Sequence, residues 1–117
     1  IVTHTCREVA ELTYSQELVA SVKEDPLCGE FAGDLRLYAT VTREDFPFKG
    51  RITELMASGK VFDDLGVPPI HPETDRGMIC GSMAMLKDTK AALEAFGLVE
   101  GSNSKPNTFV VERAFVD

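Results

Sequence analysis

Several things are missing from this sequence of 117 residues, and each absence narrows what the chain does. No apolar run approaches the roughly 18 residues of a membrane-crossing helix. No basic stretch, apolar core and cleavage site opens the chain as a secretory signal would. Positive charge is scarce: twelve Lys and Arg face nineteen Asp and Glu, a net charge of −7. A general nucleic-acid or anionic-membrane binder needs a spread of positive charge, so neither class fits. Cysteines number three, Cys6, Cys28 and Cys80. They form no CxxC pair and leave one over under any pairing, so they read as free thiols in a reducing, cytoplasmic compartment. A zinc site has no support, and no metal is expected. Glycine-rich phosphate loops are absent too: neither GxGxxG nor GxxxxGK[ST] occurs. No initiator Met precedes Ile1-Val2-Thr3-His4, which already reads as a strand, so the chain is expected to be one domain or a piece of a larger protein.

What is present has the composition of an ordinary globular domain, 44% hydrophobic and 26% charged. There is no repeat and no low-complexity tract. Ile1 to His4 forms a first strand. Val9, Leu12, Val19 and Val22 fall close to one stripe of a helix over Arg7 to Glu24, which Asp25-Pro26 ends. Leu35 to Val41 alternates as a strand does. Pro47, Lys49 and Gly50 mark a loop, Arg51 to Ser58 a short helix, and Gly66, Pro68, Pro69 and Pro72 a second loop. Met78 to Cys80 is a brief strand running into Gly81-Ser82. A helix from Met83 to Phe96 follows, capped by Ser82 and stopped by Gly97, with Leu86, Leu93 and Phe96 on its buried side. Thr108 to Phe115 is the last strand.

The order βαβαβαβ demands crossover connections, hence an α/β fold: a parallel sheet with helices on both faces. In such sheets ligands gather beyond the carboxyl ends of the strands. There stand Arg7 after the first strand, Thr42 and Arg43 after the second, and Arg51 with Lys49 beside it. Guanidinium forks and a hydroxyl suit a phosphate monoester; pairing of each arginine with Glu8, Glu44 or Asp45 is the bland alternative. Arginine beyond the second strand also matches NADP rather than NAD selection in a dinucleotide fold. Cys80, between strand and helix, is either a thiol activated by the helix N-terminus or a small apolar plug. His4 and His71 have no metal-ligand partner at useful spacing. Ser15 and Ser82 lack the G-x-S-x-G context of a hydrolase. Glu112 reads as a solvated strand position.

Taken in order, Val41-Thr42-Arg43-Glu44, Gly50-Arg51-Ile52-Thr53, Met78-Ile79-Cys80-Gly81-Ser82 and Val111-Glu112-Arg113-Ala114-Phe115-Val116 resemble the nucleotide domain of bacterial ferredoxin–NADP reductases. Thr5-Cys6-Arg7 with Glu11-Leu12-Thr13-Tyr14 is similar to that family's second strand and helix. Each motif alone is weak; the ordered set, covering essentially the whole chain, is specific. The resemblance implies an FAD-binding barrel upstream of Ile1 and an NADP-binding domain over residues 1–117. That domain would lack its first strand, which is central in the family's sheet, and its glycine-rich turn.

The resemblance further implies that Arg7, Thr42, Arg43 and Arg51 hold the phosphates of NADP, with Arg7 the weakest match. It puts Cys80 beside nicotinamide and flavin, with Gly81 and Ser82 lining the coenzyme, and Glu112 as a carboxylate near the same place. Ala114 stands where plant-type relatives carry a terminal aromatic on the flavin, and Phe115 and Val116 extend the chain as in the bacterial branch. The implied cofactors are FAD and NADP, the partners ferredoxin or flavodoxin, and the complete protein a monomer. The chain alone would be inactive. Rival readings are a related flavin reductase or electron-transfer subunit, and a non-catalytic nucleotide-binding α/β module.

Overall fold

The computed structural model describes residues 1–102 and 104–113. The chain divides into two compact units, Ile1–Leu55 and the remainder from Met56 on. In the first unit, β1 (Val2–Cys6) pairs in parallel with β2 (Leu37–Val41), in a register running from Val2↔Leu37 to Cys6↔Val41. The crossover between them opens with a 3₁₀ turn, Val9–Leu12, and continues as α1, Thr13–Glu24.

The sequence reads as one helix over that whole crossover; the first turn is wound more tightly for a local reason. The Glu11 carboxylate accepts the backbone N–H groups of Arg7 and Glu8 at 3.0 and 2.9 Å. It thereby satisfies donors that a helix start leaves without partners. Val9, expected on the buried stripe, is exposed. The stripe instead runs through Leu12, Ser15, Val19 and Val22, the first two buried and the others half-buried. At the far end the Asp25 carboxylate accepts from Leu27 and Cys28 N–H, and these backbone bonds hold its pKa below the usual value. Leu12, Ala39 and Val41 form the local core, with Cys6, Leu37 and Phe46 packed against it. Leu12 and Val41 are fully buried, each contributing about 1.5–3 kcal/mol.

α2, Ile52–Ser58, leads from the first unit into the second. There α3 (Lys60–Leu65), β3 (Gly77–Cys80), α4 (Met83–Ala95) and β4 (Phe109–Glu112) follow. β3 and β4 pair in parallel from Gly77↔Phe109 to Cys80↔Glu112, and α4 packs on β3. α3 is absent from the sequence expectation. Its signal is there in retrospect: Val61, Phe62 and Leu65 share a buried face, and Lys60 bonds Asp64 one turn on at 2.7 Å. Gly59, in the left-handed region at φ 81°, separates it from α2 and hid the continuation.

The expectation of an α/β fold with parallel strands and helices holds. Among the described residues the strands form two separate two-stranded parallel sheets, β1–β2 and β3–β4. Alternation of strands and helices dictates parallel pairing with crossovers, but it does not say which strands are neighbours. The α/β class and the parallel direction both stand.

Candidate functional site

The ladder between β1 and β2 runs past both strand ends. Thr42 N–H donates to the Cys6 carbonyl and Arg43 N–H to the Arg7 carbonyl, each at 3.0 Å. This extended register sets Arg7 beside Arg43, although 35 residues of chain lie between them.

The loop that follows returns along the free edge of β2. Val41 N–H donates to the Phe48 carbonyl at 3.2 Å, and Gly50 N–H donates back to the Val41 carbonyl at 3.0 Å. Aromatic packing pins it there. The Phe48 ring lies 5.1 Å from that of buried Tyr38, and Phe46 meets Phe48 edge-on at 6.4 Å. Gly50 closes the loop at φ 134°, a conformation that side-chain-bearing residues rarely adopt. Arg51 then stands immediately ahead of α2.

The result is an open depression of about 350 Å³ lined by Thr42, Arg43, Lys49, Gly50, Arg51 and Glu54. Thr42, Arg43 and Arg51, picked from the sequence for one ligand, therefore meet around one hollow. Arg7 is a neighbour through its backbone, but it is not among the lining residues.

The bland alternative for the arginines does not describe this end of the sheet. Glu44 accepts the Val9 N–H at 2.7 Å, and Glu11 serves Arg7 and Glu8 through their backbone groups. Asp45 lies 4.0 Å from Lys49 rather than against an arginine. Among the described residues no carboxylate forms an ion pair with the guanidinium of Arg7, Arg43 or Arg51. All three arginines are exposed. Exposed cations without counter-ions can receive an anion at little cost in broken pairs.

The second candidate place is the end of β3–β4. Cys80 and Glu112 are direct partners in the parallel register, so their side chains leave the same face of that pair. Both are exposed. Cys80 is therefore not an apolar plug. Gly81 is half-buried, and the Ser82 hydroxyl accepts the Met85 N–H at 3.3 Å, which makes it the cap of α4. Ala114, Phe115 and Val116 lie outside the described residues. His71 sits in an exposed loop, its ring accepting the Glu73 N–H. Among the described residues no group of three or more His, Cys, Asp or Glu could hold a metal ion.

No family model matches the chain. Individual proteins do. The chain is 56% identical over 117 residues to a flavodoxin/ferredoxin–NADP reductase of Rhodobacter capsulatus, a match covering 99% of this chain and 43% of that protein. It is 43% identical over 119 residues to a ferredoxin–NADP reductase of Azotobacter vinelandii, covering all of this chain and 46% of the relative. The crystal structure of a ferredoxin–NADP⁺ reductase from Neisseria gonorrhoeae, with bound FAD and NADP, superposes with a TM-score of 0.75 at 27% identity, over 97% of this chain and 43% of that one. Along its length this chain is related to the bacterial ferredoxin/flavodoxin–NADP reductases. It spans under half the length of the relatives it matches.

Their place at the strand ends, and then the resemblance, pointed to Thr42, Arg43 and Arg51 and passed over other residues of the same hollow. Glu54 lies three residues after Arg51, beside it on the helix surface. Lys49 stood out only as a neighbour of Arg51. The Phe46–Phe48–Tyr38 packing that fixes the loop has no local sequence pattern, because its partners meet only after β2 has paired.

Proposed function

We propose that this chain is the NADP-binding part of a flavin-dependent oxidoreductase that exchanges electrons between NADPH and ferredoxin or flavodoxin. In this reading an FAD-binding domain precedes residue 1. The observation that carries the reading is the hollow beyond β2, which Thr42, Arg43, Lys49 and Arg51 line together and where neither arginine has a carboxylate partner among the described residues. A dianionic phosphate ester fits that donor set in charge and in hydrogen-bonding capacity. The relatives' names and the FAD and NADP in the Neisseria structure support the same choice.

When bound, the nicotinamide and the flavin supply hydride transfer between them. The chain's own residues do the rest. Arg43 and Arg51 bind the phosphate that distinguishes NADP from NAD, Thr42 donates a hydrogen bond to it, and Arg7 adds charge from the neighbouring strand. Cys80 and Glu112, side by side in the β3–β4 register, shape the place where the nicotinamide ring docks. Their proximity matters because reactivity falls steeply when reacting atoms are misplaced by about 1 Å. The three thiols, unpaired among the described residues, fit a cytoplasmic protein, and we take the complete protein as a monomer.

A visible absorption spectrum of the full-length protein tests the reading. A flavin spectrum bleached rapidly by NADPH and far more slowly by NADH is the expected result. A colourless protein, or equal bleaching by both nucleotides, would refute it.

A further inference from the structure

The carboxylates nearest the strand-end arginines are occupied elsewhere. Arg7, Glu8 and Val9 are consecutive, and each backbone N–H donates to a carboxylate oxygen. Glu11 Oε2 takes the first two, at 3.0 and 2.9 Å, from within the same turn. Glu44 Oε2 takes the third at 2.7 Å, from 35 residues further along the chain. The first two bonds are local capping. The third is a long-range tie: Val9 opens the 3₁₀ turn that follows β1, while Glu44 comes just after Arg43 beyond the end of β2.

Arg43 is therefore tethered on both sides. Its own N–H donates to the Arg7 carbonyl at 3.0 Å, and the side chain of the next residue is fastened to Val9. A carboxylate that accepts a backbone N–H makes a charge-assisted bond, stronger than a neutral one. It holds the chain where Arg43 leaves the sheet and ties the turn after Arg7 to the same point. Glu44 also leaves an easy alternative untaken. Among the described residues no ion pair joins its carboxylate to the guanidinium of Arg7, Arg43 or Arg51.

Charge alone gives Glu44 the opposite role. A carboxylate beside a phosphate site repels the ligand, so its removal should tighten binding. A clamp works the other way, because without it the arginine must be ordered at the moment of binding, and that ordering costs affinity. The two effects differ in sign, so one substitution tells them apart.

We propose that Glu44 is a positioning residue for coenzyme selection: by bonding Val9 N–H it fixes the chain on either side of Arg43 so that this arginine is ready to receive the phosphate that marks NADP. The proposal rests on the coenzyme reading above and adds to it a carboxylate that helps an anion to bind.

The test uses the full-length protein and two substitutions. Glu44→Ala removes both the acceptor and the charge; Glu44→Gln removes the charge and keeps an acceptor oxygen. Glu44→Ala should raise KM for NADPH about fivefold, only part of what a hydrogen bond to a charged group can carry, because the ladder bonds remain. KM for NADH should move far less. Glu44→Gln should restore most of the loss. In an Arg43→Ala background Glu44→Ala should add little, since the carboxylate acts through that arginine. Tighter NADPH binding by Glu44→Ala, equal losses with both nucleotides, a glutamine variant as weak as the alanine one, or a full effect without Arg43 would each overturn the proposal. Hydrogen exchange at the Val9 amide reads the clamp without any nucleotide, quickening in Glu44→Ala and recovering in Glu44→Gln. The same exchange rate in all three proteins sinks the clamp alone. An unsubstituted protein that treats NADPH and NADH alike sinks the coenzyme reading, and the positioning role with it, even where the exchange pattern holds.

Discussion

The two parallel strand pairs end very differently. Beyond β2 the chain folds back on itself, pins its loop with Tyr38, Phe46 and Phe48, and walls a hollow with three cations. Beyond β3 it passes at once through Gly81 into α4, leaving Cys80 and Glu112 exposed on adjacent strands. The contrast follows from the two tasks proposed for them. Recognising a phosphate takes fixed cations, and a short loop with its own aromatic anchors supplies these locally. Positioning a flat ring for hydride transfer takes surfaces on both sides of the ring, and one strand end offers only one of them. The first region should therefore act mainly on affinity and coenzyme choice, the second mainly on turnover.

The largest effect that could break this division is at Arg43. Losing a hydrogen-bonded guanidinium at a phosphate costs about 1.5–3 kcal/mol. Arg43→Ala in the full-length protein should therefore raise KM for NADPH by roughly ten- to a hundredfold and leave KM for NADH almost unchanged. The NADP/NAD preference narrows accordingly. Steady-state kinetics with both nucleotides decide the matter, and equal effects on the two would remove the hollow from coenzyme selection. Cys80→Ala should show the opposite split, with kcat falling about tenfold through altered ring placement and KM moving little. A rise in KM with unchanged kcat would make Cys80 a structural thiol and erase the contrast.

How legible this was in the sequence also differs between the two regions. The β1–β2 end was readable because its cations follow their strands directly, and parallel pairing with a crossover then had to bring those strand ends together. The strand at Leu37–Val41, the helix from Met83 and its Ser82 cap were equally plain, since local pattern and local chemistry agreed. Three features escaped. α3 was hidden by Gly59, which looks like a loop residue but serves as a left-handed joint. The split into two strand pairs was hidden because strand order is a long-range property. The full length of the first strand was hidden because its pattern was read only over Ile1 to His4, whereas β1 continues to Cys6. Two strand residues more put His4 and Cys6 on a common face.

A smaller effect sharpens the claim that the loop, and not charge alone, makes the first region a site. Gly50 carries no charge and its φ of 134° is strained for any other residue. An added Cβ would meet Leu55 atoms at 3.5 Å, an ordinary contact, so the penalty of Gly50→Ala comes from the backbone. At roughly 1 kcal/mol it should displace Arg51 and Lys49 enough to raise KM for NADPH about fivefold with kcat retained. Unchanged affinity would mean that the cations find the phosphate whatever the loop does.

The smallest expected effect separates two roles that coincide at Ser82. Its hydroxyl accepts the Met85 N–H, a capping bond worth about 1 kcal/mol, yet Ser82 also belongs to the coenzyme site proposed above. Ser82→Ala should speed exchange of the Met85 amide about fivefold in the full-length protein, the equivalent of that capping energy. Ser82→Asp keeps a good cap, so exchange should return to the starting rate. Turnover then discriminates between the roles. If activity recovers in the aspartate variant along with Met85 protection, Ser82 serves the coenzyme only by holding the start of α4. If protection returns while activity stays low, the hydroxyl itself faces the ligand, and a new carboxylate there repels the nucleotide's negative charge. In that case the second region reads charge as well as shape, and the division of labour between the two strand ends is less complete.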